Sequence, residues 1–291
     1  MSDEAIKEKK KLTKKSKILI IVLSIVAFLL IATVLGGVIA LNQYCKTKDY
    51  TVISTSDNVT LVAHRGMRSV APENTTASFT EAGKHGYWGA ECDVYRTKDG
   101  VWIISHDSHT YRMMDKSAFI EKKTYEELMD MNVDNGVNID KYEDLKICSL
   151  EEYLDICKKY NMTPVIELKG KNNTEYYSEI VELENQFEVN PVYISFHIEN
   201  LQTMRRLTQC KMYYLVQKIS EDDIQDAKSI ENCGIDFNGN KDKNFKSDII
   251  KKCQDAGLEL GAWTINEEDA LQKLEQYGIT LITTDCIEYA K

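Results

Sequence analysis

Apolar, strand-like runs alternate with segments of helical periodicity along most of the chain. This alternation is typical of βα units that build a mostly parallel sheet. It predicts strands at Thr60–Ala63, Gly89–Val94, Val101–Ser105, Thr163–Leu168, Val192–Ser195, Met212–Val216, Ile235–Phe237, Leu258–Thr264 and Leu281–Thr284. It predicts helices in most of the gaps, among them Thr76–Lys84, Leu150–Lys159, Ile198–Leu207 and Lys246–Ala256.

The second and third strand candidates are too close together for a crossover helix. Only six residues, 95–100, separate them, and this linker ends in Asp99-Gly100, a strong hairpin signal. One of the two strands should therefore run antiparallel to the other. If one hairpin strand is surplus, the other eight candidates suit an eight-stranded α/β barrel. This fold usually has about 250 residues, which matches the length of residues 42–291.

An apolar segment near the front of the chain, Ile18–Leu41, contains 24 residues without a charge. That length is enough to cross about 30 Å of hydrocarbon as a helix. Seven lysines and three acids precede it, which favours a cytoplasmic amino terminus and an exported remainder. A cleaved signal peptide is the alternative, although signal h-regions are usually about 7–15 residues long. The predicted organisation is a basic cytoplasmic segment 1–17, a single transmembrane helix 18–41, a spacer 42–59 and a barrel 60–291.

The formal charge of the exported part is strongly negative. The whole chain carries −10, of which the flank contributes +4, so residues 42–291 carry −14. Such a surface argues against nucleic-acid binding, which needs clustered cations. An anionic substrate must instead meet a few placed cations or a metal ion. The eight cysteines show no zinc-type spacing, and they leave buried thiols and one or two disulfides equally open.

Several candidate site residues lie in the predicted hairpin. A two-residue turn at Asp99-Gly100 would place Asp93 directly opposite His106, and Glu91 would share the face of Asp93. Two carboxylates on one face suit a hard divalent cation, Ca²⁺ or Mg²⁺.

Further polar residues end other predicted strands. Glu167 and Lys169 lie at the end of Thr163–Leu168, and His64 and Arg65 directly follow Thr60–Ala63. Carboxyl ends of barrel strands form the active-site rim. Histidine is the natural proton carrier near neutral pH, and arginine and lysine bind phosphate. Together these side chains predict a metal-assisted phosphodiester-cleavage site.

The ordered motifs resemble those of the glycerophosphodiester phosphodiesterase family. They are HRG…PENT, E-x-D-V-x-x-T-x-D-G, the HD pair, S-L-E-E-x-L, I-E-L-K, S-F, W-T-I-N and I-T-T-D, and they span roughly Thr60 to Ile287. The resemblance implies a (β/α)₈ TIM barrel that hydrolyses glycerophosphodiesters to glycerol 3-phosphate and an alcohol. One departure is Cys148, where the family usually has a proline; this position affects a helix start rather than the rim.

The resemblance also implies roles for individual residues. It assigns acid–base catalysis to His64 and His106, and binding of one cation, Ca²⁺ or Mg²⁺, to Glu91, Asp93 and Glu167. It assigns phosphate binding to Arg65 and Lys169, a supporting shell to Glu73 and Asn74, and the glycerol or leaving-group wall to Phe196 and Trp263.

Three functions remain open at this point. The first is a membrane-anchored glycerophosphodiesterase, the second a lysophospholipase D-type or cyclising lipid phosphodiesterase, and the third a non-catalytic module that binds glycerophosphate polymers. The sequence does not choose between water and the glycerol 2-hydroxyl as nucleophile, and it does not give an oligomeric state. Residues 108–146 are the least typical of the family, and leaving-group specificity should differ there.

Overall fold

The computed structural model describes residues 14–56, 58–240 and 247–290, and the chain divides into two compact units, Met1–Lys46 and Thr47–Lys291. The first unit is a helix, α1, Lys14–Cys45. Its part Leu19–Cys45 has a mean hydropathy of 3.0 and is the one described helix long and apolar enough to cross a membrane. It extends beyond the predicted 18–41 at its carboxyl end. Most of the predicted basic segment, residues 1–13, lies outside the described residues.

The second unit contains all the described strands and the remaining helices. The strands are β1 Ile53–Thr55, β2 Thr60–Ala63, β3 Gly89–Arg96, β4 Trp102–Ile104, β5 Thr163–Leu168, β6 Val192–Ser195, β7 Met212–Val216, β8 Cys233–Asn238, β9 Leu260–Trp263, β10 Leu281–Thr284 and β11 Ile287–Tyr289. The helices are α2 Thr76–Lys84, α3 Tyr125–Met129, α4 Leu150–Tyr160, α5 Tyr177–Phe187, α6 Ile198–Arg205, α7 Glu221–Lys228, α8 Ser247–Asp255 and α9 Glu268–Gln276.

Eight parallel strands close into a barrel. Their order is β2-β10-β9-β8-β7-β6-β5-β3, and β3 returns to β2 through the pairs Val62–Gly89 and Ala63–Ala90. The predicted (β/α)₈ barrel is thus confirmed, and β4 is the ninth, surplus strand on its edge. All eight carboxyl ends lie at one end of the barrel, which brings the residues that follow them together.

Alternate side chains of the strands form two apolar layers. One layer fills the barrel below its rim and consists of Val62, Val165, Val192, Ile194, Tyr213 and Leu215. The other lies between the strands and the surrounding helices, where Ile166 and Leu168 pack against residues such as Tyr153 of α4. Because Glu167 lies between Ile166 and Leu168, the two-residue period of a strand directs it inward.

The hairpin of β3 and β4 is antiparallel, as predicted, but its register differs by one residue. Val94 pairs with Ile104, and the amide of Ser105 donates to the carbonyl of Asp93 at 2.9 Å. Asp93 therefore lies opposite Ser105, and the predicted pairing with His106 is wrong. Regular pairing ends at Ile104, so His106 belongs to the loop that follows rather than to the strand.

A three-residue loop causes this shift. Thr97 donates its amide to the carbonyl of Val101 at 2.9 Å, and Gly100 adopts a φ of +94°. A left-handed glycine in the last loop position is typical of three-residue hairpins. The amide of Lys98 donates to the carbonyl of Lys123 at 2.8 Å, so it is not available to pair with Val101.

The predicted spacer 42–59 contains a strand. Ile53–Thr55 pairs in parallel with Ile287–Tyr289. This two-stranded sheet ties the segment that precedes the barrel to the segment that follows its last strand. A strand of three residues is held mainly by backbone hydrogen bonds to its partner and needs no apolar pattern. Hydrophobic periodicity in the sequence therefore does not reveal it.

All eight cysteines lie in the described part of the chain and are free thiols, six of them buried. The structure therefore favours the buried-thiol alternative over disulfides. The less typical loop, residues 108–146, covers β4 and has a small apolar core of its own, formed by Ile103, Met114, Ala118, Ile120, Leu128, Met131 and Ile147. This core fixes the loop against the hairpin that leads to His106.

Candidate active site

A cavity of about 260 Å³ opens at the carboxyl ends of the barrel strands. Most of the predicted site residues line it, namely His64, Arg65, Glu91, His106, Glu167, Lys169, Phe196 and Trp263. The other three predicted residues, Glu73, Asn74 and Asp93, are buried and contact members of this set. The structure therefore brings the whole predicted constellation together at one end of the barrel.

Three carboxylates form the centre of the site. Glu91, Asp93 and Glu167 are buried, and each offers an oxygen within 4.8 Å of the others. Glu91 and Asp93 share the inner face of β3, and the β3–β5 register pairs Asp93 with Glu167. Three carboxylate oxygens converging at this spacing are the ligands that a hard cation such as Ca²⁺ or Mg²⁺ prefers.

The pKa values show how strongly these acids interact. Burial raises the pKa of Glu91 well above its usual range, and the charges of Asp93 and Glu167 raise it further. Burial also raises the pKa of Glu167, to about 7, although Lys169 opposes the change. Burial acts to raise the pKa of Asp93, but Lys169 and Arg65 outweigh it and hold the pKa well below its usual range. A divalent cation would remove this mutual repulsion, so the donor set fits one.

Two cations of the chain already neutralise part of this charge. The ammonium of Lys169 lies 2.8 Å from Asp93 and 2.7 Å from Glu167. The guanidinium Nε of Arg65 lies 3.6 Å from Asp93, and its backbone amide donates to Glu91 at 2.9 Å. Full ionisation of the three acids against these two cations would leave a net negative charge, which would repel a phosphodiester. A bound dication would reverse the sign.

The loop after β2 is shaped to present Arg65. This residue has a φ of +58° and the following Gly66 a φ of +74°. A Cβ at Gly66 would lie only 2.7 Å from the backbone of Ser78, so only glycine fits between the loop and α2. Left-handed backbone at a non-glycine residue is strained, and such strain is typical of functional sites.

Glu73 anchors three arginines. Its carboxylate accepts from Arg65 at 2.9 Å and from Arg112 at 2.6 Å, and it also pairs with Arg68. Burial acts to raise the pKa of Glu73, but the three guanidinium groups outweigh it and hold the pKa far below its usual range. Asn74 donates to Asp93 at 2.7 Å. These two residues of the PENT motif thus position charged groups of the site rather than line the cavity.

His64 is held by an acid that the sequence analysis did not assign. Its Nδ1 lies 2.7 Å from Asp285, the residue after β10. Burial and the charge of Arg65 lower the pKa of His64 to about 4, and Asp285 only partly opposes them. Burial acts to raise the pKa of Asp285, but His64, Arg68 and Asn266 outweigh it and lower the pKa to about 2.

The protonation of this pair follows from these values. An ionised carboxylate has no hydrogen to donate, so Nδ1 of His64 must be the donor. Nε2 of the neutral ring then carries the lone pair, which is the arrangement required of a general base.

His106 has a similar partner but a different setting. Its Nδ1 lies 2.9 Å from Asp107, which in turn accepts from Nε of Arg112 at 2.7 Å. The side chain of His106 is 34% exposed, against 17% for His64. The loop after β4 brings His106 to the cavity. Its predicted approach to the acids is therefore correct, although the predicted hairpin register is wrong.

An aromatic pair at the ends of β6 and β9 lines another part of the cavity. The rings of Phe196 and Trp263 meet edge to face with centroids 5.4 Å apart. The indole nitrogen of Trp263 donates to the backbone carbonyl of Asp236 at 3.1 Å, which fixes the ring. Ile194 and Leu215 add apolar lining to the cavity, and its further polar lining consists of Gln217, Asp236, Thr264 and Thr283.

Five polar residues of the site were not assigned from the sequence: Arg68, Asp107, Arg112, Asp236 and Asp285. Three carried a usable signal. Asp107 belongs to the HD pair, Asp285 follows a predicted strand, as Arg65 does, and Asp236 is a charge inside an apolar run. Arg112 carried none, because it lies on a loop whose path depends on tertiary packing.

Comparison with known proteins agrees with the fold and the motifs. The model of the glycerophosphoryl diester phosphodiesterase family matches residues 64–289. Glycerophosphodiester phosphodiesterase 1 of Mus musculus is 27% identical over 272 residues, which cover 81% of each chain. The structure of an Oleispira antarctica phosphodiesterase in complex with the product sn-glycerol-3-phosphate is 27% identical, with a TM-score of 0.72 over 78% of this chain and 92% of that one. A glycerophosphodiester phosphodiesterase structure from Parabacteroides distasonis is also 27% identical, with a TM-score of 0.65 over 79% of this chain and 94% of that one. The chain therefore belongs to the glycerophosphoryl diester phosphodiesterase family.

Proposed function

We propose that this enzyme hydrolyses glycerophosphodiesters to glycerol 3-phosphate and an alcohol, by acid–base catalysis at His64 and His106. The proposal rests on the surroundings that the two histidines share. Each imidazole is oriented by an aspartate through Nδ1, and both line the cavity together with Glu91 and Glu167 of the acid cluster. A phosphodiester needs this combination of proton carriers and charge neutralisation.

Glu91, Asp93 and Glu167 would hold one divalent cation, Ca²⁺ or Mg²⁺. When bound, the cation would supply positive charge for the phosphoryl oxygens and help to position or ionise the attacking oxygen. Lys169 would bind the same phosphate from the side of Asp93 and Glu167, which it already contacts. Arg65 would do so from the end of β2, because it also lines the cavity.

The two histidines would divide the proton transfers. The pKa of about 4 keeps His64 neutral near pH 7, so its Nε2 would take the proton of the attacking oxygen. His106, on the more exposed loop, would donate a proton to the oxygen of the departing alcohol. Asp285 would stabilise the imidazolium that forms at His64.

The helix α1 would anchor the enzyme in the cell membrane as a single pass. Its length and hydropathy suit a membrane span, and the lysine-rich residues before it favour a cytoplasmic amino terminus with an extracytoplasmic barrel. Protease added to intact cells should then digest the barrel, whereas a tag placed before Lys7 should be protected. Protection of the barrel would contradict this topology.

The catalytic proposal is tested with the full-length chain in detergent. Release of glycerol 3-phosphate from glycerophosphodiesters is measured with Ca²⁺, with Mg²⁺ and with EDTA. We expect activity with at least one cation, loss in EDTA, and loss in the His64→Ala, His106→Ala double variant. Full activity of the double variant would refute the proposed mechanism.

The alternative of a lysophospholipase D-type or cyclising enzyme rests on the proposed membrane anchor, which would make lipid substrates accessible. Phosphorus NMR of the products separates it from hydrolysis, because a cyclic phosphate would accumulate as the end product. A tight complex with glycerophosphate polymers and no turnover under any cation would favour a binding module instead.

A further inference from the structure

Asp236 is a buried acid whose role the proposed mechanism does not explain. It lies in the middle of β8, lines the catalytic cavity and is 3% exposed. Its Oδ1 is buried without a hydrogen-bond partner. Burial raises the pKa of Asp236 well above its usual range, and the charge of Glu167 raises it further.

The other buried acids of the described residues differ from Asp236 in this respect. Each has a partner for its carboxylate: Glu73 with Arg112, Glu91 with the amide of Arg65, Asp93 and Glu167 with Lys169, Glu184 with Tyr193, and Asp285 with His64. A buried polar group without a partner is costly, and most proteins avoid one. An acid that lines a cavity while one of its oxygens lacks a partner therefore indicates a ligand that completes its hydrogen bonds.

The barrel makes room for this carboxylate. The sheet register places Asp236 between Leu215 of β7 and Gly261 of β9. A Cβ at Gly261 would lie 3.0 Å from Oδ1 of Asp236, so a larger residue there would crowd the carboxylate. The indole of Trp263 donates to the carbonyl of Asp236, which holds the aromatic wall beside it.

We propose that Asp236 accepts a hydrogen bond from a hydroxyl of the substrate's glycerol moiety and so selects for glycerol. The inference rests on the proposed function and adds a specificity residue to it. A carboxylate oxygen accepts well from hydroxyl groups, and an aromatic wall packs against the carbon chain between them. The phosphate binds the cations on the β2, β3 and β5 side, and the glycerol then extends toward β8 and β9.

Other ligands fit Asp236 less well. A phosphoryl oxygen has its partners in Arg65 and Lys169, at the ends of β2 and β5. The acids that converge closely enough to share a cation are Glu91, Asp93 and Glu167, and among the described residues Asp236 is not part of that group. A hydroxyl, which donates one hydrogen and carries no charge, is the group that satisfies Oδ1 at this position.

The test compares two ligands that differ only in the glycerol moiety. Thermal stabilisation of the full-length chain by glycerol 3-phosphate and by inorganic phosphate is titrated with Ca²⁺ present, for the wild type, Asp236→Ala and Asp236→Asn. We expect the preference for glycerol 3-phosphate over phosphate to fall about 10–100-fold in Asp236→Ala, because the glycerol hydroxyl is left without its buried partner. Asp236→Asn keeps an acceptor oxygen and should retain part of the preference.

Glu184→Gln provides a matched control. Glu184 is another buried acid, but it lies on α5 outside the cavity and pairs with Tyr193. This variant should keep the wild-type preference for glycerol 3-phosphate. It should also lose stability, whereas Asp236→Ala without ligand should melt at a higher temperature than the wild type, because an unpartnered buried carboxylate is removed.

A kinetic ratio gives an independent readout. The ratio of kcat/KM for a glycerophosphodiester to that for bis(4-nitrophenyl) phosphate, which has no glycerol, should fall about 10–100-fold in Asp236→Ala. An unchanged preference and an unchanged ratio would overturn the inference, as would equal weakening of glycerol 3-phosphate and phosphate. Absence of turnover in the wild type would refute the proposed function, yet the binding comparison would still report on Asp236.

Discussion

Each of the two histidines of the site is oriented by an aspartate, but the two pairs differ in how rigidly the fold holds them. His64 follows a barrel strand, and its aspartate follows another strand of the same barrel, so the rigid sheet sets their 2.7 Å contact. His106 lies on a loop beyond a hairpin, and its aspartate is the next residue in the chain. Under the proposed mechanism, the base is therefore held by the sheet, whereas the acid is held only by a loop.

The largest expected effects come from removing either imidazole. We expect His64→Ala and His106→Ala each to lower kcat about 10²–10⁴-fold. The comparison is sharpened by a glycerophosphodiester with a 4-nitrophenyl leaving group, which departs without protonation. It should restore much of the rate of His106→Ala and little of that of His64→Ala. Equal rescue of both variants would break the assignment of acid and base.

The two aspartates should differ in a second experiment. Asp285→Asn would present an amide to Nδ1 and favour the wrong tautomer of His64, so we expect kcat to fall about 10²–10³-fold. Asp107→Asn should cost only about 10-fold, because His106 is more exposed and water can replace the partner. Steady-state kinetics at pH 7 measure both, and a larger loss in Asp107→Asn would reverse the ranking of the two sites.

The third prediction concerns stability and pH. The pKa of His64 is about 4 in the folded state and about 6.5 when unfolded. The unfolded chain therefore binds more protons between these values, and the folded state loses stability as the pH falls from about 7 to 4. This loss amounts to about 3 kcal/mol.

The variant His64→Asn tests this pH dependence, because asparagine keeps a donor for Asp285 but does not titrate. The free energy of unfolding is measured by urea denaturation in EDTA. Between pH 7 and pH 4 it should fall about 3 kcal/mol less in this variant than in the wild type. His106→Asn is the matched control at the exposed site. Parallel pH curves for the wild type and His64→Asn would contradict the low pKa.

The smallest expected effect is at the hairpin that carries His106. Gly100→Ala places a Cβ at a φ of +94° and 2.7 Å from Nη2 of Arg96, which Glu179 holds by two hydrogen bonds. We expect a loss of about 1–2 kcal/mol in unfolding free energy. Gly86→Ala is the control, because Gly86 has a φ of +73° and an added Cβ would have no atom within 4 Å. The loss in this variant measures the backbone strain alone. Equal losses in the two variants would show that the contact with Arg96 is harmless.

The sequence predicted the barrel because its strands are strongly patterned. The bounds of β2 and β5, Thr60–Ala63 and Thr163–Leu168, agree with the structure residue for residue. Both strands are apolar runs with clear ends, and the polar residues that follow them had to lie on the rim. His64, Arg65 and Lys169 were located by this rule alone.

The remaining features depend on interactions that no local pattern records. The hairpin register was wrong by one residue because Asp99-Gly100 is compatible with loops of two or three residues, and Lys98 pairs with the distant Lys123 instead. Arg112 reaches Glu73 from a loop held by its own small core. Pairs of this kind are set by tertiary packing, which single-sequence reasoning does not reach.

The contact between His64 and Asp285 joins residues that are 221 positions apart. During synthesis the histidine leaves the ribosome long before its aspartate exists. The proposed general base is therefore completed only when β10 takes its place beside β2. A chain still being made, or one with an unclosed barrel, holds a histidine without its orienting partner, and hydrolytic competence arrives together with the finished fold.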